Sequence, residues 1–280
     1  MLAAGEQIVR VPPKMMAHAR DAARTYGKSD PIDAVAVARA ALREPGLPAA
    51  RLEGPERELR LLVDHREDLV AERTRTICRL RWNLHELDPF WDPRPRSLTS
   101  AKALAGIAGR LAGMEGMVAA IAAGITARIA ALTTQASALE REIAVRVRKL
   151  APVLLALPGA AELTAAKIVA ETAGVDRFRS KDAYARHNGT APLPVWSASQ
   201  TRHRLSRTGN RQLNCAIHRI AITQKRCHPS AQAYLQRRAA AGDTPAEALR
   251  ALKRRLSDIV YRMLLADSAD TQAAPAGQAA

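Results

Sequence analysis

Aromatic side chains are scarce, 3% of 280 residues. That argues against the stacking platforms that hold bases of a single strand. Cysteine is equally thin: Cys78, Cys215 and Cys227 are odd in number and dispersed. No disulfide framework is expected, and with no signal peptide opening the chain the reading is a reduced, cytoplasmic protein. Cys215, His218, Cys227 and His228 invite a zinc reading, but their spacing fits no common structural finger. Long uncharged runs are missing too. The longest apolar stretch, residues 118–132, is interrupted by Gly124 and Arg128, so no membrane span is expected. Acid is the last shortage, 27 Asp and Glu against 43 Lys and Arg, for a net charge of +16 and a pI near 10.8.

What is present follows from that imbalance. The excess is rich in arginine, whose planar fork matches phosphate oxygens, and the net field draws in polyanions, so nucleic acid is the expected partner. Alanine and leucine dominate, which predicts a mainly α protein. Residues 1–50 mix a short β pattern, 7–11, closed by Pro12 and Pro13, with helical stretches, as part of an α/β domain would. Residues 51–150 form a long helical region. Val63, Val70, Ile77 and Leu84 recur every seven positions, Leu59, Leu80 and Leu87 fill some d-type positions, and Arg66 and Arg73 interrupt that row. This helix is an ordinary core helix or docks on a partner, either residues 99–150 folding back as a hairpin or a second subunit. Residues 151–266 read as a compact helical domain, and 267–280 as a disordered tail. In that domain Thr244-Pro245-Ala246-Glu247 is a capping box that opens an amphipathic helix through Leu249, Leu252, Leu256, Ile259 and Met263.

Three stretches carry candidate chemistry. In residues 188–214 a serine, Ser197, precedes Arg202, Arg204, Arg207, Gly209 and Arg211. A hydroxyl placed beside phosphate-binding arginines and turn amides is what attack on a phosphodiester needs, although a solvated basic loop has the same composition. In Gly27-Lys28-Ser29-Asp30-Pro31-Ile32-Asp33, Asp30 is expected as an N-cap with Asp33 three residues on. The two carboxylates either serve the helix dipole or ligate Mg²⁺. Leu157-Pro158-Gly159, followed by small residues through Lys167, resembles a helix-hairpin-helix element, whose turn amides contact DNA phosphate, with Ala161 where such hairpins often carry a second glycine.

Taken together, GKSDPIDAVAVARAALR (27–43), the helix ending in LHELDP, LLALPGAAELTAAKIVAETAG and NGTAPLPVWSASQTRHRLSRTGNRQLN resemble insertion-sequence transposases of the DEDD type, the IS110 family, in the family's order and over residues 1–265. The resemblance implies an RNase H-like (RuvC-like) domain with Asp-Glu-Asp-Asp metal ligands, a long coiled-coil-like helical region, and a C-terminal transposase domain with a serine nucleophile. By position, Asp30 and Asp33 would be the last two acidic ligands, holding Mg²⁺, and Ser197 would be the nucleophile of the Ser-Gly motif. The implied activity is strand cleavage and exchange on element and target DNA. In several members a structured bridge RNA pairs with both. A homo-oligomer through the helical region and a nucleoid-associated location are also implied.

Ala198 stands where the family usually has glycine, which leaves Ser199 as an alternative nucleophile. The first Asp and the Glu of the tetrad would precede Met1, and Gly5 reads as a helix stop. The expectation is therefore an N-terminally shortened chain that binds nucleic acid without recombining it. The rival reading is a non-enzymatic nucleic-acid-binding remnant.

Overall fold

The structure, a computed structural model, describes residues 6, 8–9, 11, 15, 29–44, 47, 54–94, 96–197, 200–204, 206 and 208–273, with backbone alone at 195–197, 200–204 and 270–273. The chain divides into two compact units, Met1–Gly54 and Pro55–Ala280.

In the first unit, helix α1 spans Asp30–Arg43. Ser29, in extended conformation (φ −146°, ψ 155°), precedes it, and the Asp33 amide donates to the Ser29 carbonyl at 3.0 Å. The N-cap is thus Ser29, and Asp30, expected there, is the first helical residue. Pro31 follows in the first turn, where its missing N–H costs nothing. Ala36 and Ala40 are buried, with Val11 and Met15 packed against them. Of the strand expected at 7–11, Val9 takes part in a β-bridge, while Gln7 and Arg10 lie outside the described residues, as do Gly5, Gly27 and Lys28.

The second unit begins with helix α2, Pro55–Leu87. After a 3₁₀ turn at Ser97–Thr99 come α3, Ala101–Ala112, and α4, Met117–Leu150. The single element expected over 99–150 is therefore divided. Gly113 ends α3, and Gly116, at φ +103°, opens α4 in a conformation that side chains rarely adopt. Helices α2 and α4 form an antiparallel hairpin, each about 50 Å long: Arg66 pairs with Glu140 at 2.8 Å, Arg73 reaches Thr133, and Arg128 pairs with Glu72 at 2.6 Å. Arg66 and Arg73, the two interruptions of the heptad, are accommodated because α4 offers acid and hydroxyl partners opposite them. At the far end Asp88 stops α2 by accepting from the Phe90 amide and from Arg110, which together hold its carboxyl below the usual range. Arg110 also lies 3.9 Å over the Trp91 ring.

Helix α4 is long and apolar enough, by length and composition, to cross a membrane, and it extends well past the 118–132 run. Here its apolar stripe has another use: Ala119, Ala122, Ile129, Leu132, Ala136, Ile143 and Val147 are buried.

The remaining elements are α5, Pro152–Leu155; α6, Glu162–Thr172; a 3₁₀ turn at Val175–Arg177; α7, Lys181–His187; an antiparallel pair β1, Leu193–Ser197, and β2, Gln200–Arg204; α8, Arg211–Cys227; α9, Pro229–Ala240; and α10, Pro245–Ala273. They are bound to the hairpin by one continuous core. Leu59 and Val63 of α2, Ile143 and Val147 of α4, Ile168 of α6, Ile217 and Ile220 of α8, and Leu256 and Val260 of α10 all belong to it. A second core, around Leu80, Leu84, Leu104, Ile107 and Ile129, fills the far end of the hairpin.

The capping box forms as expected. Thr244 donates through N and Oγ1 to the Glu247 carboxylate (3.0 and 2.6 Å), and the Glu247 amide donates back to Thr244 Oγ1. Helix α10 then continues past Ala266, where low hydropathy predicts a tail. Asp267, 3% exposed, accepts from the Val153 and Leu154 amides at the start of α5 (2.8 and 3.1 Å), so a buried carboxylate caps one helix from the side of another. Residues 274–280 lie outside the described set.

Leu80 is fully buried and Leu61 is 58% exposed. Leu80→Ala is expected to lower unfolding free energy by about 2–5 kcal/mol, and Leu61→Ala by less than about 0.5 kcal/mol, both read from urea denaturation monitored by helical circular dichroism.

Candidate functional site

The β1–β2 ribbon leaves the helical body after α7 and returns before α8. Its register pairs Leu193 with Arg204, Pro194 with His203, Val195 with Arg202, Trp196 with Thr201, and Ser197 with Gln200. Ser197, expected in a loop, is thus the last residue of β1, and Arg202 and Arg204 stand on the opposing strand. Ala198, Ser199 and Arg207 lie outside the described residues.

Two glycines hold the base of this ribbon. Gly189 (φ +71°) and Gly209 (φ +95°) touch: a Cβ on Gly209 would sit 2.7 Å from the His187 carbonyl and 2.8 Å from the Gly189 amide nitrogen. A Cβ on Gly189 would sit 2.6 Å from the Thr208 carbonyl. Gly209, expected to offer its backbone to phosphate, is needed first for this close approach. The Asn210 amide donates to the His187 carbonyl at 2.7 Å, and the Asn210 side chain accepts from the Leu213 amide, capping α8.

Polar side chains complete the anchor. Asn188, fully buried, donates to Ser257 of α10 and accepts from Thr190; Asn214 donates to the Asn188 carbonyl; Lys253 donates to Asn214. Glu171, 5% exposed, accepts from Asn210 and lies 3.8 Å from Arg60 of α2. His187 packs on Phe178 and lies 3.1 Å from Arg177. Burial, then the Arg177 charge, lowers its pKa below 6.5. This framework of Asn188, Asn210, Asn214, Glu171 and Lys253 was not found by sequence reasoning, which weighed arginines and a hydroxyl; the signal was three asparagines flanking two glycines.

Lys167, read as a phosphate ligand, is placed elsewhere. Its side chain is 6% exposed, with Nζ 2.8 Å from Glu67 and 3.6 Å from Asp64 of α2, so its charge is committed to the hairpin. The turn before α6 leans on α8, with Pro158 and Ala161 exposed and Gly159 half-buried. Gly159 (φ +93°) packs against α8, where an added Cβ would lie 3.2 Å from Ile220 Cα, and Gln224 donates to the Pro158 carbonyl. Helix α5, the first helix of the expected helix-hairpin-helix, is only four residues long. Arg211, exposed, opens α8 and lines a polar groove with Arg60, Asp64, Glu67, Asp68, Glu171 and Gln212. Among the described residues no three metal-type ligands gather, including Cys215, His218, Cys227 and His228. Asp30 is exposed and Asp33 half-buried in the first turn of α1.

A helical body presenting a serine-bearing, arginine-containing ribbon fits the class of proteins that act on nucleic acid backbones. Residues 151–236, which contain the whole ribbon and the two glycines at its base, match the model described as "Transposase IS116/IS110/IS902 family", and residues 1–89 match a DEDD-type IS110 model described as "Transposase". The chain is 28% identical to the "Insertion element IS900 uncharacterized 42 kDa protein" of Mycobacterium paratuberculosis, over 94% of this chain and 78% of that protein. It is also 28% identical to the "Insertion element IS116 uncharacterized 44.8 kDa protein" of Streptomyces clavuligerus, over 100% and 82%. The chain belongs to the IS110 family of insertion-sequence transposases.

Two outcomes test the anchor. Gly209→Ala is expected to destabilise the protein by more than about 2 kcal/mol, because a positive φ and a backbone clash coincide there. Gly124→Ala, with nothing within 4 Å of the new methyl, is expected to be neutral or stabilising in the same thermal melts. Because the His187 pKa is depressed in the fold, its contribution is complete above pH 6.5 and is lost as pH falls below that value through the folded pKa. His187→Gln is expected to flatten the stability–pH curve in that acid window, measured by urea midpoints.

Proposed function

We propose that this transposase cleaves and rejoins DNA through Ser197. The observation that carries the reading is the ribbon: its register puts Ser197 at the end of β1 and Arg202 and Arg204 at alternate positions of the facing strand, on a base fixed by Gly189 and Gly209. In the proposed step the Ser197 hydroxyl oxygen bonds to phosphorus as the bond from phosphorus to one sugar oxygen breaks. The released sugar oxygen takes the proton the hydroxyl gives up. A sugar hydroxyl of another strand then attacks the phosphoserine, restoring the serine and joining the exchanged strands. Arg202, Arg204, Arg207 and Arg211 would supply guanidinium forks for the phosphate oxygens, which carry the negative charge of the transition state.

Asp30 and Asp33 are proposed as Mg²⁺ ligands. The donor set fits: two carboxylates three residues apart in a first helical turn are of the type that this hard cation takes alongside water and phosphate. Bound there, the ion would supply Lewis-acid charge to phosphate oxygens. Element and target DNA are the proposed substrates, with a structured bridge RNA as the proposed guide and oligomerisation through the long helical region. A cytoplasmic, nucleoid-associated location accompanies that reading. The rival, a nucleic-acid-binding protein without chemistry, shares the arginines and differs at the serine.

The distinguishing experiment is Ser197→Ala in a strand-exchange assay supplied with Mg²⁺ and element-derived RNA. Loss of exchange and of the covalent protein–DNA adduct, with DNA affinity kept within about threefold, is the expected result. Normal exchange by Ser197→Ala, lost instead in Ser199→Ala, moves the nucleophile to Ser199, and an adduct with neither serine dependent overturns the reading. Asp33→Ala is expected to abolish exchange, whereas a purely structural role at a helix start would cost about 1 kcal/mol of stability and leave exchange intact.

A further inference from the structure

Helix α8 presents a cationic face. Its 17 residues, RQLNCAIHRIAITQKRC, contain no acid. Leu213, Ala216, Ile217, Ile220, Ala221 and Gln224 are buried, which turns Arg211, Cys215, His218, Arg219, Ile222, Lys225 and Arg226 to the exposed side. On the hairpin Arg60, Arg66, Arg81, Arg128, Arg146 and Arg148 each pair with Asp or Glu. Among the described residues Arg211, Arg219, Lys225 and Arg226 form no such pair.

Neighbouring helix α10 adds to the same charge. Lys253, held by Asn214 of α8, lies close enough to His218 to depress the imidazole pKa, after burial, and close enough to Arg211 for the two cations to repel each other. At the Arg211 end Asp64, Glu67, Asp68 and Glu171 line the groove beside it. Like charges gathered on one face oppose folding, and an anion outside the chain would offset them.

We propose that the exposed face of α8 is a docking surface for the backbone of duplex DNA, a proposal that rests on the reading of the chain as a DNA-handling transposase and assigns a binding surface separate from the ribbon. The dimensions suit it. The helix is about 25 Å long, and its cations recur about every two turns, at Arg211, at Arg219, and at Lys225 with Arg226. Cys215 and Ile222 lie between them, so small apolar groups face base edges while the flanking cations reach phosphates. B-form DNA has a major groove that admits a helix, whereas the major groove of A-form RNA is too narrow, and α8 carries no Phe, Tyr or Trp on which unpaired bases would stack.

The test uses the full chain and random-sequence duplexes of DNA and of RNA, with binding followed by anisotropy between about 50 and 200 mM salt. The triple variant Arg219→Gln, Lys225→Gln, Arg226→Gln is compared with Arg75→Gln, Arg79→Gln, Arg141→Gln on the hairpin, which removes the same charge elsewhere. The expected result is a DNA affinity lower by about tenfold or more for the α8 variant, with a salt slope shallower by about 2 to 3, and a loss within about threefold for the hairpin variant. Equal losses in the two variants overturn the proposal in favour of diffuse charge, and a loss confined to the RNA duplex overturns the choice of DNA. If the triple variant loses helix content, Arg219→Gln and Arg226→Gln are measured singly, each expected to lower the slope by about 1. Binding is read without any chemistry, so failure of strand exchange in Ser197→Ala protein bears on the serine mechanism and leaves this result standing.

Discussion

The contact between Gly189 and Gly209 sets the shape of the C-terminal half. A ribbon that departs from a helical body and returns to it at one point forces its two stems into backbone contact. Only residues without a Cβ permit the distances found, 2.6–2.8 Å from where that atom would lie to neighbouring backbone. Everything nearby then serves to fix that crossing. Asn188 ties the outgoing stem to Ser257, Asn210 turns the returning stem into the cap of α8, and Asn214 bridges from α8 to the outgoing stem. Asparagine suits the task because one amide side chain donates and accepts at once, satisfying buried backbone groups on two segments.

Charge is distributed with the same economy. Where helices must pack, cations find acids: Lys167 is buried on Glu67 and Asp64, and Arg66 faces Glu140. Removing one partner of a buried pair such as Lys167 would leave an uncompensated charge, so these arginines and lysines are structural. Part of the excess that gives +16 is exposed on α8. Net charge pointed to a polyanion partner; only the pairing pattern separates the cations available to it from those already committed.

How much could be read beforehand follows from the range of each interaction. The long α2, the capping box at Thr244 and the folding back of a second long helix are periodic or local features, and the structure has them. The break at Gly113–Gly116 was weakly marked because glycine also occurs inside α3 and α4, at Gly106, Gly109 and Gly124. The extension of α10 depends on Asp267 meeting α5, more than a hundred positions away, and the burial of Lys167 depends on α2. No local pattern carries either contact. The resemblance to the family placed Ser197 and the arginines within one stretch, while the strand register around them and the asparagine anchor came from tertiary structure.

The anchor is also continuous with the hairpin. Glu171 joins Arg60 on α2 to Asn210 at the start of α8, and Lys167, four residues earlier on α6, joins Glu67 and Asp64 of α2. Beneath these polar links Leu59 and Val63 share a core with Ile168, Ile217 and Ile220. Tilting the hairpin away from the C-terminal helices would break apolar packing and leave Lys167 and Glu171 without their partners in the same movement. The long helices are consequently part of the platform that holds the ribbon, and the geometry at the base of Ser197's strand depends on residues more than a hundred positions before it.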